Sequence, residues 1–126
     1  MHEIQDVLQK NEFHAFTCAE TWLQNGDLTT MYEISGYDLR RNDRISGKKG
    51  GGCCIYIRQD CSVSELKIGV AFPSNTEVYV YKFNALYTRP IIYVSVYNTP
   101  NVCKNEFLLA LDCLLTHLHR YDLKLL

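Results

Sequence analysis

The chain is 126 residues long, enough for one small domain with a core of its own but not for two. With 47% hydrophobic and 21% charged residues it reads as globular, and a net charge of -1 excludes a uniformly basic nucleic-acid coat. No apolar run reaches membrane-spanning length, and Met1-His2-Glu3-Ile4-Gln5-Asp6 has neither the basic start nor the apolar stretch of a secretory signal. Residues 3–10 spell a short helix, with Ile4, Val7 and Leu8 on one face, Glu3, Gln5, Gln9 and Lys10 polar, and Asn11 as its stop. Residues 13–18 read as a short buried strand. Residues 24–31, with Asn25-Gly26-Asp27, are a loop or turn. Residues 32–37 approach the next strand and 38–49 form a polar loop. Residues 52–58 are a strand, 63–68 a further short one, and Phe72-Pro73-Ser74-Asn75 a turn.

Residues 77–86 and 91–97 are the strongest strands. Both are nearly continuous in Val, Ile, Tyr and Phe, as expected of strands covered on both faces. Thr88-Arg89-Pro90 separates them as in an antiparallel hairpin. Residues 104–120 then carry a helical stripe of Phe107, Leu111, Leu114 and Leu118, flanked by Leu108 and Leu115. Residues 122–126 turn apolar again and read as the start of another strand. The pattern predicts one domain over 1–126: an α/β (α+β) sandwich. Its mixed, largely antiparallel sheet would be centred on 77–86 and 91–97 and flanked by helices.

Six cysteines stand at 18, 53, 54, 61, 103 and 113, none in a Cys-x-x-Cys pair. Without a secretory signal the default is reduced thiols, in the nucleus or cytoplasm and not outside the cell. Cys18, Cys53, Cys54 and Cys113 lie in apolar runs and suit a core. The competing use, a zinc site of His14, Cys18 and the Cys53/Cys54/Cys61 group, matches no common zinc spacing. Trp22 reads as a core anchor. Gly50-Gly51-Gly52 after Lys48-Lys49 is no P-loop: no Gly-Lys-Ser/Thr follows, and the glycines enter a strand, where they allow a tight turn into the sheet. His117 and His119, two apart on a helix, face different ways and cannot share a metal.

Three features carry chemistry. A short apolar run ends at one carboxylate, Glu20, the way a buried strand delivers a charged group to a site. Tyr97 ends the 91–97 strand just before Asn98-Thr99-Pro100. The segment 40–58 holds Arg40, Arg41, Arg44, Lys48, Lys49 and Arg58 against a single acid, Asp43. It is either a solvated charged loop or a set of phosphate-backbone contacts. Asp43 has Arg41 and Arg44 in reach as partners that would stiffen the loop.

In order along the chain stand Glu20-Thr21-Trp22-Leu23, Gly36-Tyr37, Arg41-Asn42-Asp43-Arg44 and Gly50-Gly51-Gly52. This ordered set resembles the endonuclease domain of non-LTR (LINE-type) retrotransposons, in the endonuclease/exonuclease/phosphatase family. The resemblance implies that Glu20 binds a catalytic Mg²⁺ and that Tyr97 faces the scissile phosphate. It implies a DNA target, nicked by metal-assisted phosphodiester hydrolysis to prime reverse transcription, with a reverse transcriptase domain in the intact parent protein. Arg40, Arg41, Arg44, Lys48 and Lys49 become DNA-backbone contact candidates. Thr99 stands where the family often has proline, which departs from the pattern after Tyr97. The family's first-strand Asn, its Gly-Asp-Phe-Asn and its Ser-Asp-His have no counterpart here. The chain is therefore expected to be a partial domain, inactive alone, lacking a second sheet and exposing apolar surface. Another phosphoesterase of the same fold, or a non-catalytic nucleic-acid-binding or vestigial module, are the alternatives.

Overall fold

A computed structural model describes residues 2–11, 13–24, 26–43, 50–74, 76–84, 89–98 and 103–125. Helix α1 (His2–Asn11) comes first, and the Asn11 side-chain Nδ2 donates back to the Val7 carbonyl at 2.9 Å, closing its last turn. Three strands form one antiparallel sheet: β1 (Ala15–Ala19), β2 (Tyr37–Asn42) and β3 (Cys53–Arg58), in the order β1-β3-β2. A second antiparallel sheet holds β4 (Ser62–Glu65), β5 (Thr76–Asn84) and β6 (Ile91–Asn98), in that order. Helix α2 (Lys104–Leu125) closes the chain.

Alternation along the strands stacks these parts into four layers. On β3, Cys53, Ile55 and Ile57 face inward and meet Tyr79, Tyr81 and Phe83 of β5, which makes the core between the sheets. Cys54 and Tyr56, the intervening residues, face outward and pack with Leu8, Ile34 and Tyr37 beneath α1. Val80 of β5 faces outward on the other side and packs against Leu114 and Leu118 of α2. The order is α1, first sheet, second sheet, α2: an α/β sandwich, as the sequence pattern predicts. Buried phenols fasten the connections. Tyr37 donates to the Phe13 carbonyl at 2.8 Å, and Tyr56 to the Tyr32 carbonyl at 2.8 Å.

Several expectations need correction. Among the described residues there are two three-stranded sheets, not one with a second missing. Of the two strongest strands, β5 is central but β6 is at the edge among the described residues, and both sheets are antiparallel throughout. Residues 38–42 are not loop but most of β2, which ladders to β3 from Tyr37↔Arg58 to Asn42↔Cys53. Residues 122–125 continue α2 and start no strand. No glycine or proline interrupts the sequence there, and extending a helix costs less than nucleating a new element. Val7, at 40% exposure, lies off the buried face of α1 that Leu8 occupies. Ile91, Leu108, Leu109 and Leu115 expose apolar surface. Among the described residues no helix is long and apolar enough to cross a membrane.

Candidate functional site

The site forms where the two sheets meet, at the end of β1 and β3 that adjoins the start of β5 and the end of β6. The chain leaves β1 at Ala19 and turns at once: Glu20 (φ 56°) and Trp22 (φ 59°) both take left-handed backbone, rare for residues with side chains. Such conformations persist only where neighbours enforce them. Here the enforcing partner is the glycine triplet. Gly51 and Gly52 accept hydrogen bonds at their carbonyls from the Trp22 and Thr21 amides, at 3.0 and 3.1 Å. Gly50, Gly51 and Gly52 have φ of 90°, 73° and 83°, which glycine alone adopts cheaply.

This turn fixes one carboxylate. Glu20 Oε2 accepts from the Gly51 amide at 3.0 Å and from the Trp22 indole at 3.0 Å. Glu20 Oε1 accepts from the Tyr97 hydroxyl, so the contact spans from the first sheet to the second. A second inter-sheet contact, between the Thr17 and Tyr93 hydroxyls, lies one layer deeper. The structure therefore brings Glu20 and Tyr97 together at the same end of the sandwich. Glu20 is exposed and Tyr97 half-buried.

A second acid, Glu77, which is not among the sequence candidates, stands behind the first. Glu77 lies opposite Tyr97 in the β5–β6 ladder and is buried, at 8% exposure. Its Oε1 accepts from the Gly52 amide at 2.9 Å and its Oε2 from the Cys53 thiol at 2.6 Å. Burial first, and then the Glu77 hydrogen bond and charge, push the Cys53 thiol well above its ordinary range, so it stays a donor. The sequence clue was available. Glu77 shares the inward-facing period of Tyr79, Tyr81 and Phe83, where an acid is out of place unless it is paired.

Trp22 is no core anchor. It is 61% exposed at the rim, because its left-handed backbone turns it outward while its indole N–H holds Glu20. The two basic candidates among the described residues, Arg40 and Arg41, are both engaged away from Glu20. Arg41 directs all five of its N–H donors inward: two to Asp43, and the rest to the Asp27 and Gln24 carbonyls and Thr29. Asp43, at 2.6 Å, is its ion-pair partner, and Arg41 thereby ties Gln24, Asp27 and Thr29 to β2. Arg40 lies over the buried Tyr81 ring, its guanidinium carbon 5.0 Å from the centroid. Arg44, Lys48 and Lys49 lie outside the described residues. A groove of about 730 Å³ lined by Thr29, Glu33, Asp38 and Gln59 opens at the opposite end of the first sheet, beside Tyr37. It shares nothing with Glu20.

The zinc alternative fails on direction. Cys53 faces the inter-sheet core and Cys54 faces α1, so neighbouring thiols point apart. No group of three or more His, Cys, Asp or Glu among the described residues could hold a metal ion. All six cysteines are free, and Cys103 and Cys113 are exposed, Cys113 against its expected core position. The Cys54 thiol is pushed up by its hydrogen bond with Cys18 and by burial, whereas the same bond lowers Cys18. Raised thiols hold less thiolate, the reactive form. Iodoacetamide at about pH 8 is thus expected to label Cys103 and Cys113 in the native protein while Cys53 and Cys54 wait for unfolding. Mass spectrometry of timed samples checks this, and equal labelling rates at Cys53 and Cys113 would refute the buried placement.

Compared with known proteins, the chain matches no family model, and no curated protein or solved structure is detectably similar to it.

Proposed function

We propose that this chain carries the metal and phosphate contacts of a DNA endonuclease of the non-LTR retrotransposon kind, in the endonuclease/exonuclease/phosphatase family. One observation supports this reading above the others: Tyr97 donates to the Glu20 carboxylate across the sheet interface. An exposed carboxylate and a phenol, held together by rigid elements at one end of a sandwich, suit a phosphodiester. Glu20 would be the Mg²⁺ ligand. A single hard carboxylate is a fitting partner for an ion that keeps several waters and takes its other oxygens from phosphate. When bound, the ion would neutralise phosphate charge and stabilise the leaving oxygen.

The chain's own residues do the rest of the positioning. The Gly51 and Trp22 N–H groups hold Oε2, so the carboxylate needs no reorientation when a ligand arrives. Tyr97 supplies a hydroxyl donor to a phosphate oxygen on which charge develops. The resulting nick would leave a 3′-hydroxyl able to prime reverse transcription by a domain of the parent protein. A nuclear or cytoplasmic setting goes with this reading, and the six free cysteines support it.

The test is a Mn²⁺ titration in the presence of a short DNA duplex, Mn²⁺ being a paramagnetic substitute for Mg²⁺. It is expected to broaden the NMR signals of the Gly51 amide and the Trp22 indole first. Glu20→Ala is expected to weaken binding by about 10-fold or more. Affinity unchanged in Glu20→Ala would discard the metal role. In a supercoiled-plasmid assay the chain alone is expected not to nick with Mg²⁺ at a useful rate. Nicking that disappears in Glu20→Ala would instead show that these residues suffice.

A further inference from the structure

We propose that Glu77 is a positioning residue for the Glu20 site: it holds the glycine triplet in the conformation that aims the Gly51 amide at Glu20. The inference rests on the reading of Glu20 given above for its functional meaning, but its geometry stands separately.

Glu77 and Glu20 bind successive amides of one backbone segment. Gly51 N–H goes to Glu20 at 3.0 Å, and Gly52 N–H goes to Glu77 at 2.9 Å. Consecutive backbone N–H groups turned toward acids form a concave nest for negative charge. Glu77 is the rigid side of that nest. It lies within the β5–β6 ladder, is buried, and is held at its other oxygen by the Cys53 thiol. Glu20 is the exposed side. The triplet between them has three successive left-handed glycines, a segment with many alternative conformations if its ends are loosened.

The carbonyls of the same segment hold the Thr21 and Trp22 amides, so a shift at Gly52 passes to the turn that carries Glu20. Tyr79 adds a further tie, its hydroxyl donating to the Cys53 carbonyl at 3.2 Å. A carboxylate on the inward face of β5, in line with Tyr79, Tyr81 and Phe83, is otherwise costly. Holding the triplet gives it a role that an apolar residue could not fill.

Two substitutions separate reach from charge. Glu77→Asp keeps the charge and shortens the side chain by one methylene; Glu77→Gln keeps the reach and an acceptor oxygen. Hydrogen exchange of the Gly51 amide and the Trp22 indole N–H, followed by NMR, reads the geometry of the nest directly. In Glu77→Asp both are expected to exchange about 5- to 10-fold faster, the loss of roughly one hydrogen bond's protection. In Glu77→Gln both should stay within about 2-fold of the parent. Amides of Tyr56 and Val80, in the middle of the sheets, should be unchanged in both variants. Parent-like exchange in Glu77→Asp overturns the proposal. So does equal acceleration at Tyr56 and Val80, which would make Glu77 a general stabiliser, or a Glu77→Gln that loosens as much as Glu77→Asp. Mn²⁺ affinity of the parent and Glu20→Gln is measured beside them. No difference between those two defeats the metal reading of Glu20, while the exchange data still decide the role of Glu77.

Discussion

Gly52→Ala is expected to destabilise the protein by about 2–5 kcal/mol, the sum of left-handed strain and an overpacked contact. Gly52 has φ +83°, and a methyl group built there would lie 2.6 Å from the Thr21 hydroxyl oxygen. That oxygen cannot retreat cheaply, because it also accepts from the Leu23 amide and the Thr21 backbone is bonded to Gly52 itself. The methyl must therefore push the 20–22 turn away from the start of β3. Gly26→Ala is the matched control. It meets nothing within 4 Å and should be neutral or mildly stabilising. Urea unfolding of the three proteins measures this, and a Gly52→Ala midpoint equal to the parent's would show that the turn is not held as described. Loss of the Glu20 site should accompany the loss of stability, since the same displacement separates Gly51 from Glu20.

Leu114→Ala should cost a similar amount, about 2–5 kcal/mol, for a different reason. Leu114 is fully buried between α2 and Val80, with Leu118 one turn on. Removing three carbons there leaves a cavity under a helix that can close over it only by tilting. Leu115, the next residue, is 53% exposed and its alanine variant should stay within about 0.5 kcal/mol of the parent. Thermal or urea unfolding of the pair separates the stripe from its flank. Equal effects at 114 and 115 would mean that α2 docks through another face.

The parts of the fold that the sequence makes legible are those where one physical signal dominates. β5 and β6 are dense in β-branched and aromatic residues, and α2 carries its leucines at helical spacing. β2 was hidden because its sequence, Tyr37-Asp38-Leu39-Arg40-Arg41-Asn42, is half charged. Those charges find partners that no linear pattern displays: an aromatic ring on the other sheet for Arg40 and a loop 14 positions away for Arg41. Alternation also says which residues face inward but not which sheet a strand joins, so two sheets and one sheet look alike in sequence.

The site divides in the same way. Glu20 and Tyr97 were legible because each ends an apolar run, and their side chains meet. Glu77 is easier to overlook: its inward period is the one clue, and an acid at the first positions of a strand is usually a surface residue. Only its pairing with Gly52 and Cys53 makes its burial tolerable. Trp22 was misplaced because aromatic bulk suggests a core, whereas the sign of a backbone dihedral, which composition does not encode, sends it to the rim. The glycine triplet was read as a tight entry into the sheet, and its positive φ values show why only glycine serves.

The contact between Glu20 and Tyr97 joins residues 77 positions apart, and the one between Thr17 and Tyr93 joins residues 76 apart. Contacts of that separation close long loops and form only after the chain's entropy has been reduced by other means. Hairpins such as β5–β6 need no such help, because their partners are near in sequence. The carboxylate and the phenol are therefore strangers in any collapsed state that has its strands but not its sheet-to-sheet docking. Undocking the two sheets is enough to part the carboxylate from the phenol, so anything that depends on their contact requires the fully docked sandwich.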